Sequence, residues 1–116
     1  MSSTRKPKAE GKIGEIDACD YLKGKGYEIL EQNFKNNIGE IDIICRKDDR
    51  MIFVEVKTRS TCKFGVGGFA VDETKMQKIR LVATSYLKKK KLFECKMRFD
   101  VIEIVYNKIR HIENAF

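Results

Sequence analysis

The 116-residue chain has one histidine, one proline and no apolar run near the ~20 residues of a membrane span. Each shortage closes a class of function. The lone histidine, His111, excludes zinc motifs built on two histidines, and the four cysteines, Cys19, Cys45, Cys62 and Cys95, form no CxxC pair. No zinc site is expected. There is no GxSxG element, and the GVGG stretch at 65–68 lacks the GK[ST] ending of a phosphate-binding P-loop, so its glycines are read as supplying backbone freedom. The start, MSSTRKPK, has basic residues with no apolar stretch behind them, unlike an export signal. Dispersed thiols without such a signal point to the reducing cytoplasm. Pro7 lies within this start, which reads as a disordered basic arm over residues 1–8, leaving 9–116 as a single domain.

What the chain does have is positive charge. Lysine and arginine number 24 against 17 acidic residues, a net charge of +7 with a pI of about 9.3. Such a balance invites a polyanion, of which nucleic acid is the commonest. A merely soluble basic surface has the same composition, so the argument turns on pattern.

A first helix is expected from about Lys8 to Lys23, ended by Gly24 and Gly26. At 100° per residue, Ala18, Cys19 and Leu22 fall within ~60° of Glu15. Glu15 thus lies on the inward face, or at the rim of the core if the helix is rotated. Three strands follow, at about Tyr27–Phe34, Ile38–Arg46 and Met51–Arg59. A loop with three glycines spans Ser60–Glu73. A second helix, about Thr74–Lys90, carries a capping box at Thr74 and Gln77 and an apolar stripe of Met76, Ile79, Ala83, Tyr86 and Leu87. KMRFDVIEIVYN and IRHIENAF read as a closing strand pair. The order α-β-β-β-α-β-β predicts an α/β (α+β) domain with a central mixed sheet of about five strands flanked by helices.

The segment IFVEVKTR, residues 52–59, raises the functional question. A two-residue turn at Asp48 and Asp49 sets Lys47 opposite Arg50, Cys45 opposite Ile52, Ile43 opposite Val54 and Ile41 opposite Val56, one apolar face. The other face then sets Asp42 across from Glu55 and Glu40 across from Lys57, with opposed Cβ atoms ~5 Å apart. Two carboxylates so placed repel, and a divalent cation between them removes the conflict. Magnesium, or manganese in its place, takes oxygen ligands and keeps several waters. Asp42, Glu55 and the backbone carbonyl of Val56 are the candidate ligands, with Glu15 as a further one or as the holder of a bound water. Lys57, ~7 Å along from Glu55, is placed to stabilise charge developing on a phosphate or to position the attacking water. A solvated strand face with a Glu40–Lys57 ion pair and no metal accounts for the same residues. Arg59, Lys63, Lys75 and Lys78 are candidate phosphate contacts, the last two near a helix N-terminus.

Asp42 followed by Glu55-Val56-Lys57 on the next strand resembles the PD-(D/E)xK nuclease superfamily, with Ile41 standing where the proline would be. The wider set is more specific. GEIDACDYL, NNIGEIDIICRKDDRMIFVEVKTRS, the Phe64-Gly65 pair, Lys75, RFDVIEI and HIENAF together resemble the YraN-like family from about Gly14 to Phe116. Its members are described as predicted endonucleases related to archaeal Holliday-junction resolvases. The resemblance implies the restriction-endonuclease-like fold and places Glu15, Asp42, Glu55 and Lys57 at the active-site positions. The expected activity is magnesium-dependent hydrolysis of phosphodiesters, structure-selective on branched DNA rather than RNA, with no membrane partner. The two-fold symmetry of a four-way junction leaves a homodimer open. The alternatives are a non-catalytic nucleic-acid-binding protein that keeps the nuclease fold, and a protein-interaction module for an acidic partner.

Overall fold

The computed structural model describes residues 7–59 and 73–116, with side chains in the first segment from Gly14 onward. Helix α1 spans Pro7–Gly24, strands β1, β2 and β3 span Glu28–Lys35, Glu40–Lys47 and Arg50–Arg59, helix α2 spans Glu73–Lys89, and strands β4 and β5 span Lys96–Val105 and Lys108–Ile112. Most of the expected basic arm, and the whole expected glycine-rich loop except Glu73, lie outside the described residues. Helix α1 begins one residue before the expected Lys8. Thr74, expected as a cap, is already inside α2.

The five strands form one sheet in the order β1-β2-β3-β4-β5. Every neighbouring pair is antiparallel except β3 and β4, which run parallel across the α2 crossover. The sheet is therefore mixed, as expected, and β3 lies at its centre. A central strand is buried on both faces, which is why Met51 to Val54 are apolar without interruption.

Each face of the sheet carries one helix. Ala18, Cys19 and Leu22 of α1 pack with Tyr27, Ile43, Cys45, Ile52, Val54, Ile102 and Ile104. Ile79, Val82, Ala83, Tyr86 and Leu87 of α2 pack with Ile41, Ile44, Met51, Phe53 and Phe99. Burial pushes the Cys45 thiol up to about 12, helped by the nearby Asp100 charge, as suits a core thiol that donates to the Ile52 carbonyl at 3.6 Å.

Both helices end in the same way. At α1, Tyr27 N bonds to Leu22 O and Gly26 N to Lys23 O, both at 3.0 Å, with Gly26 at φ 90°. This is a Schellman ending, and the side chains of Tyr27 and Leu22 share the core. At α2, Leu92 N bonds to Leu87 O and Lys91 N to Lys88 O, but the left-handed position is held by Lys91, at φ 60°.

The β2–β3 hairpin has the expected register. Lys47 faces Arg50, Cys45 faces Ile52 and Ile43 faces Val54. There the ladder closes. Ile41, expected on the face of Ile43 and Cys45, belongs instead to the α2 cluster. Asp42 accounts for the break: its Oδ2 accepts the Val56 N–H at 2.8 Å, in place of a partner from the strand ladder. The strands part here, and alternation does not carry through the parting.

Candidate functional site

The fork where β2 leaves β3 brings together Asp42, Glu55, Lys57 and Lys75, with Glu15 near enough for its charge to reach Asp42. Gly14 lets α1 approach the sheet closely, since a Cβ there would lie 2.1 Å from Thr58 Oγ1. The next residue, Glu15, thereby comes down near the fork from the α1 side. Its Oε1 is buried and has no hydrogen-bond partner. Glu55 belongs to β3 and is only 5% exposed. The Lys75 ammonium pairs with Glu55 Oε2, and Lys57 Nζ lies 4.0 Å from the same oxygen.

Asp42 lies between these groups. Burial pushes its carboxyl up to about 7 from 3.8, and the Glu55 charge adds to the shift. The Val56 amide opposes it, Glu15 raises it further, and Lys75 opposes it more weakly. Asp42 therefore feels both other carboxylates, although Glu15 reaches it from one face of the sheet and Lys75 from the other. Val56, expected to offer its carbonyl, meets Asp42 through its N–H.

Of the expected phosphate contacts, Arg59 is directed elsewhere: its Nε donates to Glu103 Oε2 at 3.2 Å. Lys75 is in the cluster. Lys78 is exposed one turn further along α2, beside Gly39 at the β1–β2 turn. Lys63 lies outside the described residues. Glu40 is exposed on β2. Among the described residues, no three histidine, cysteine, aspartate or glutamate side chains are grouped so that they could hold a metal ion. The cluster is instead a carboxylate set crossed by two ammonium groups.

A second polar network was not foreseen. Asp100 on β4 is fully buried. It accepts from Arg98 Nε and Nη2, both at 2.9 Å, from Asn114 N at 3.0 Å, and contacts His111 Nε2 at 2.7 Å. Arg98 Nη2 donates in turn to Tyr27 Oη at 2.7 Å, and His111 Nδ1 meets Tyr21 Oη at 3.2 Å. Burial works to raise the Asp100 pKa, but the hydrogen bonds from His111, Arg98 and Asn114, with the Arg98 charge, outweigh it and hold the carboxyl below its usual range. The network ties β4 and the segment after β5 to α1. The sequence signal was there, in the RFDVIEI and HIENAF motifs, but their partners lie some seventy to ninety positions away in the chain, as in Arg98–Tyr27 (|i−j| of 71) and Tyr21–His111 (|i−j| of 90).

The motifs belong to a recognised group. The chain is a member of the family described as Uncharacterised protein family UPF0102, whose pattern matches residues 14–104. It is 45% identical over 116 residues to UPF0102 protein TTE1452 of Caldanaerobacter subterraneus subsp. tengcongensis, covering 94% of this chain and 95% of that one. It is 48% identical over 111 residues to UPF0102 protein CD630_12710 of Clostridioides difficile, covering 94% and 97%. It is also similar to a solved structure described as "Crystal structure of SSO0001", at 22% identity and a TM-score of 0.48, covering 93% of this chain and 52% of that one. The chain thus spans about half the length of that structure. Among the described residues no helix is long and apolar enough to cross a membrane.

Proposed function

We propose that the protein is a magnesium-dependent endonuclease of the PD-(D/E)xK superfamily, acting in the cytoplasm on branched DNA. The observation that carries this reading is the carboxylate fork. On a chain of net charge +7, Asp42 is buried within reach of the Glu55 and Glu15 charges, and burial first, then the Glu55 charge, pushes it up to about 7. Negative charge concentrated against its own stability is what a cation site requires.

The donor set suits magnesium. That ion keeps several waters and takes one or two protein carboxylates plus substrate phosphate, rather than a dedicated all-protein cage. Asp42 and Glu55 are those two carboxylates, and the orphaned Glu15 Oε1 has an unmet acceptor for a water. Magnesium held there would polarise the phosphate and lower the pKa of a water.

The residues of the chain do the rest. Asp42 is fixed by the Val56 amide, so its second oxygen has a set direction. Glu15 Oε1 accepts a hydrogen bond from the attacking water and orients its lone pair toward phosphorus. Lys57 Nζ donates to the phosphoryl oxygen as negative charge grows on it. A bond forms from the water oxygen to phosphorus and the P–O3′ bond breaks, leaving a 5′-phosphate and a 3′-hydroxyl. The test is cleavage of labelled junction, flap and linear DNA with magnesium or manganese. Glu55→Ala and Lys57→Ala are each expected to reduce the rate at least ~100-fold. Undiminished cleavage by both variants would mark a contaminating nuclease and end the claim.

One observation favours a second reading. Lys75 already pairs with Glu55, so part of the carboxylate charge is offset within the chain. A nucleic-acid-binding protein that keeps the fold without catalysis needs no more than that. Calorimetric titration with manganese, on the wild type and on Asp42→Ala, separates the two. Saturable heat in the wild type alone supports the enzyme, and none in either supports the binding protein.

A further inference from the structure

A row of charged side chains crosses the sheet beside the fork. Lys57 on β3 pairs in register with Glu103 on β4, and Glu103 with Arg110 on β5. Glu103 is fully buried. Its neighbours in β4, Val101, Ile102, Ile104 and Val105, are all apolar, so packing alone would have been served by another aliphatic. Arg59 Nε donates to its Oε2 at 3.2 Å. Its Oε1 lies 3.6 Å from Arg110 Nη1 and has no hydrogen-bond partner. The arginine side chains remain 29% and 48% exposed.

A buried carboxylate is costly unless it is paired. Here it is flanked by two guanidinium groups, each of which carries several donors in a rigid plane. Glu103 accepts from Arg59 Nε and lies within ion-pair distance of Arg110 Nη1, which limits how either guanidinium can turn. Guanidinium groups held in a set orientation at a surface match the geometry of a phosphate, which a lone flexible lysine does not.

We propose that Arg59 and Arg110 clamp a backbone phosphate of a bound nucleic-acid strand, with Glu103 beneath them as a positioning residue. The assignment deepens the nucleic-acid reading above and rests on it. Two strand spacings separate Lys57 from Arg110, about 10 Å. The bound strand then crosses β3, β4 and β5 in turn, which gives Arg59 a role although it bonds to Glu103 and not to Glu55.

The test is binding of the full chain to a fluorescent DNA duplex in EDTA, with Kd followed from 50 to 200 mM salt. Arg110→Ala is expected to weaken binding about three- to tenfold, whatever the sequence, and to lower the salt slope by about one. Lys108→Ala, two positions away on the same strand, controls for net charge. An equal loss in both would overturn the clamp. Arg110→Lys keeps the charge but not the fork and is expected to recover less than half of the loss. Full recovery would overturn it. Glu103→Gln separates positioning from charge: it raises the net charge, so simple electrostatics predicts tighter binding, whereas a positioning role predicts binding at least about threefold weaker. Tighter or unchanged binding counts against the proposal. Should that variant fail to fold, the three substitutions at Arg110 and Lys108 decide alone. Cleavage assays on Glu55→Ala address the catalytic reading without touching these slopes, so the two claims fail separately.

Discussion

Asp42 binds its proton more tightly in the folded protein than in the unfolded chain, 3.8 having risen to about 7. Between those values the folded state carries more protons, so stability falls as pH rises through that window. In EDTA, thermal melts should therefore show Tm dropping from pH 4 to pH 7, and Asp42→Asn should flatten the drop and raise Tm at pH 8 by about 3 °C or more. A wild type as stable at pH 8 as at pH 5 would contradict it. Lys75 offers a second measurement. Its ammonium competes with any cation for Glu55, and it is about half exposed. Lys75→Ala should tighten manganese binding about two- to fivefold, the size of a half-exposed ion pair. That Asp42 and Glu55 lie near one another was legible from strand alternation and a two-residue turn, because both belong to one local hairpin, although the ladder stops at Ile43 and Val54, one pair short of the direct opposition expected. The Lys75–Glu55 pair was not, because neither the helix pattern nor the strand pattern says which turn of a helix meets which residue of a sheet.

Each helix and strand found its place in the sequence to within a few residues, because apolar periodicity persists over several turns or pleats. Two details failed for physical reasons. Ile41 changes face because Asp42 spends its side chain on the Val56 amide, an event that period-two counting cannot register. The Asp100 network joins β4 to α1 and to the segment after β5, contacts that no single segment encodes. It should matter for stability. Asp100→Asn leaves Arg98 and His111 without their shared anion, and urea melts at pH 7 should show a loss of about 3 kcal/mol. Because the Asp100 pKa is lowered, its contribution is fully present above the ordinary carboxyl value of 3.8 and is lost as pH falls below that value and through the lowered folded one. Variant and wild type should thus converge in acid. The end of α2 yields the opposite kind of prediction. Lys91 sits at φ 60°, where a side chain costs about 1 kcal/mol that glycine would not. Lys91→Gly should raise stability by roughly that amount, although it removes a charge from a basic helix end.

Across the whole molecule, α1 covers one face of the sheet, α2 covers the other, and the candidate site lies at a seam that both can reach. Glu15 arrives from the first layer, Lys75 from the second, and Asp42 from the strand between them. Sequence reading anticipated a mixed sheet flanked by helices, since the order of elements limits the layered arrangements available. It did not anticipate the charged row on β3, β4 and β5, because the parallel pairing of β3 with β4 sets residues such as Lys57 and Glu103 side by side from distant parts of the chain. That pairing also sets an order of assembly. The carboxylates of Asp42 and Glu55 can meet as soon as one hairpin closes, whereas Glu103 reaches Arg59 only after the intervening helix has folded back and β4 has docked. A chain emerging from the ribosome would therefore hold its acidic half-site before its guanidinium groups are in place, and, if these clamp a phosphate as proposed, would gain that grip as one of its last acts of folding.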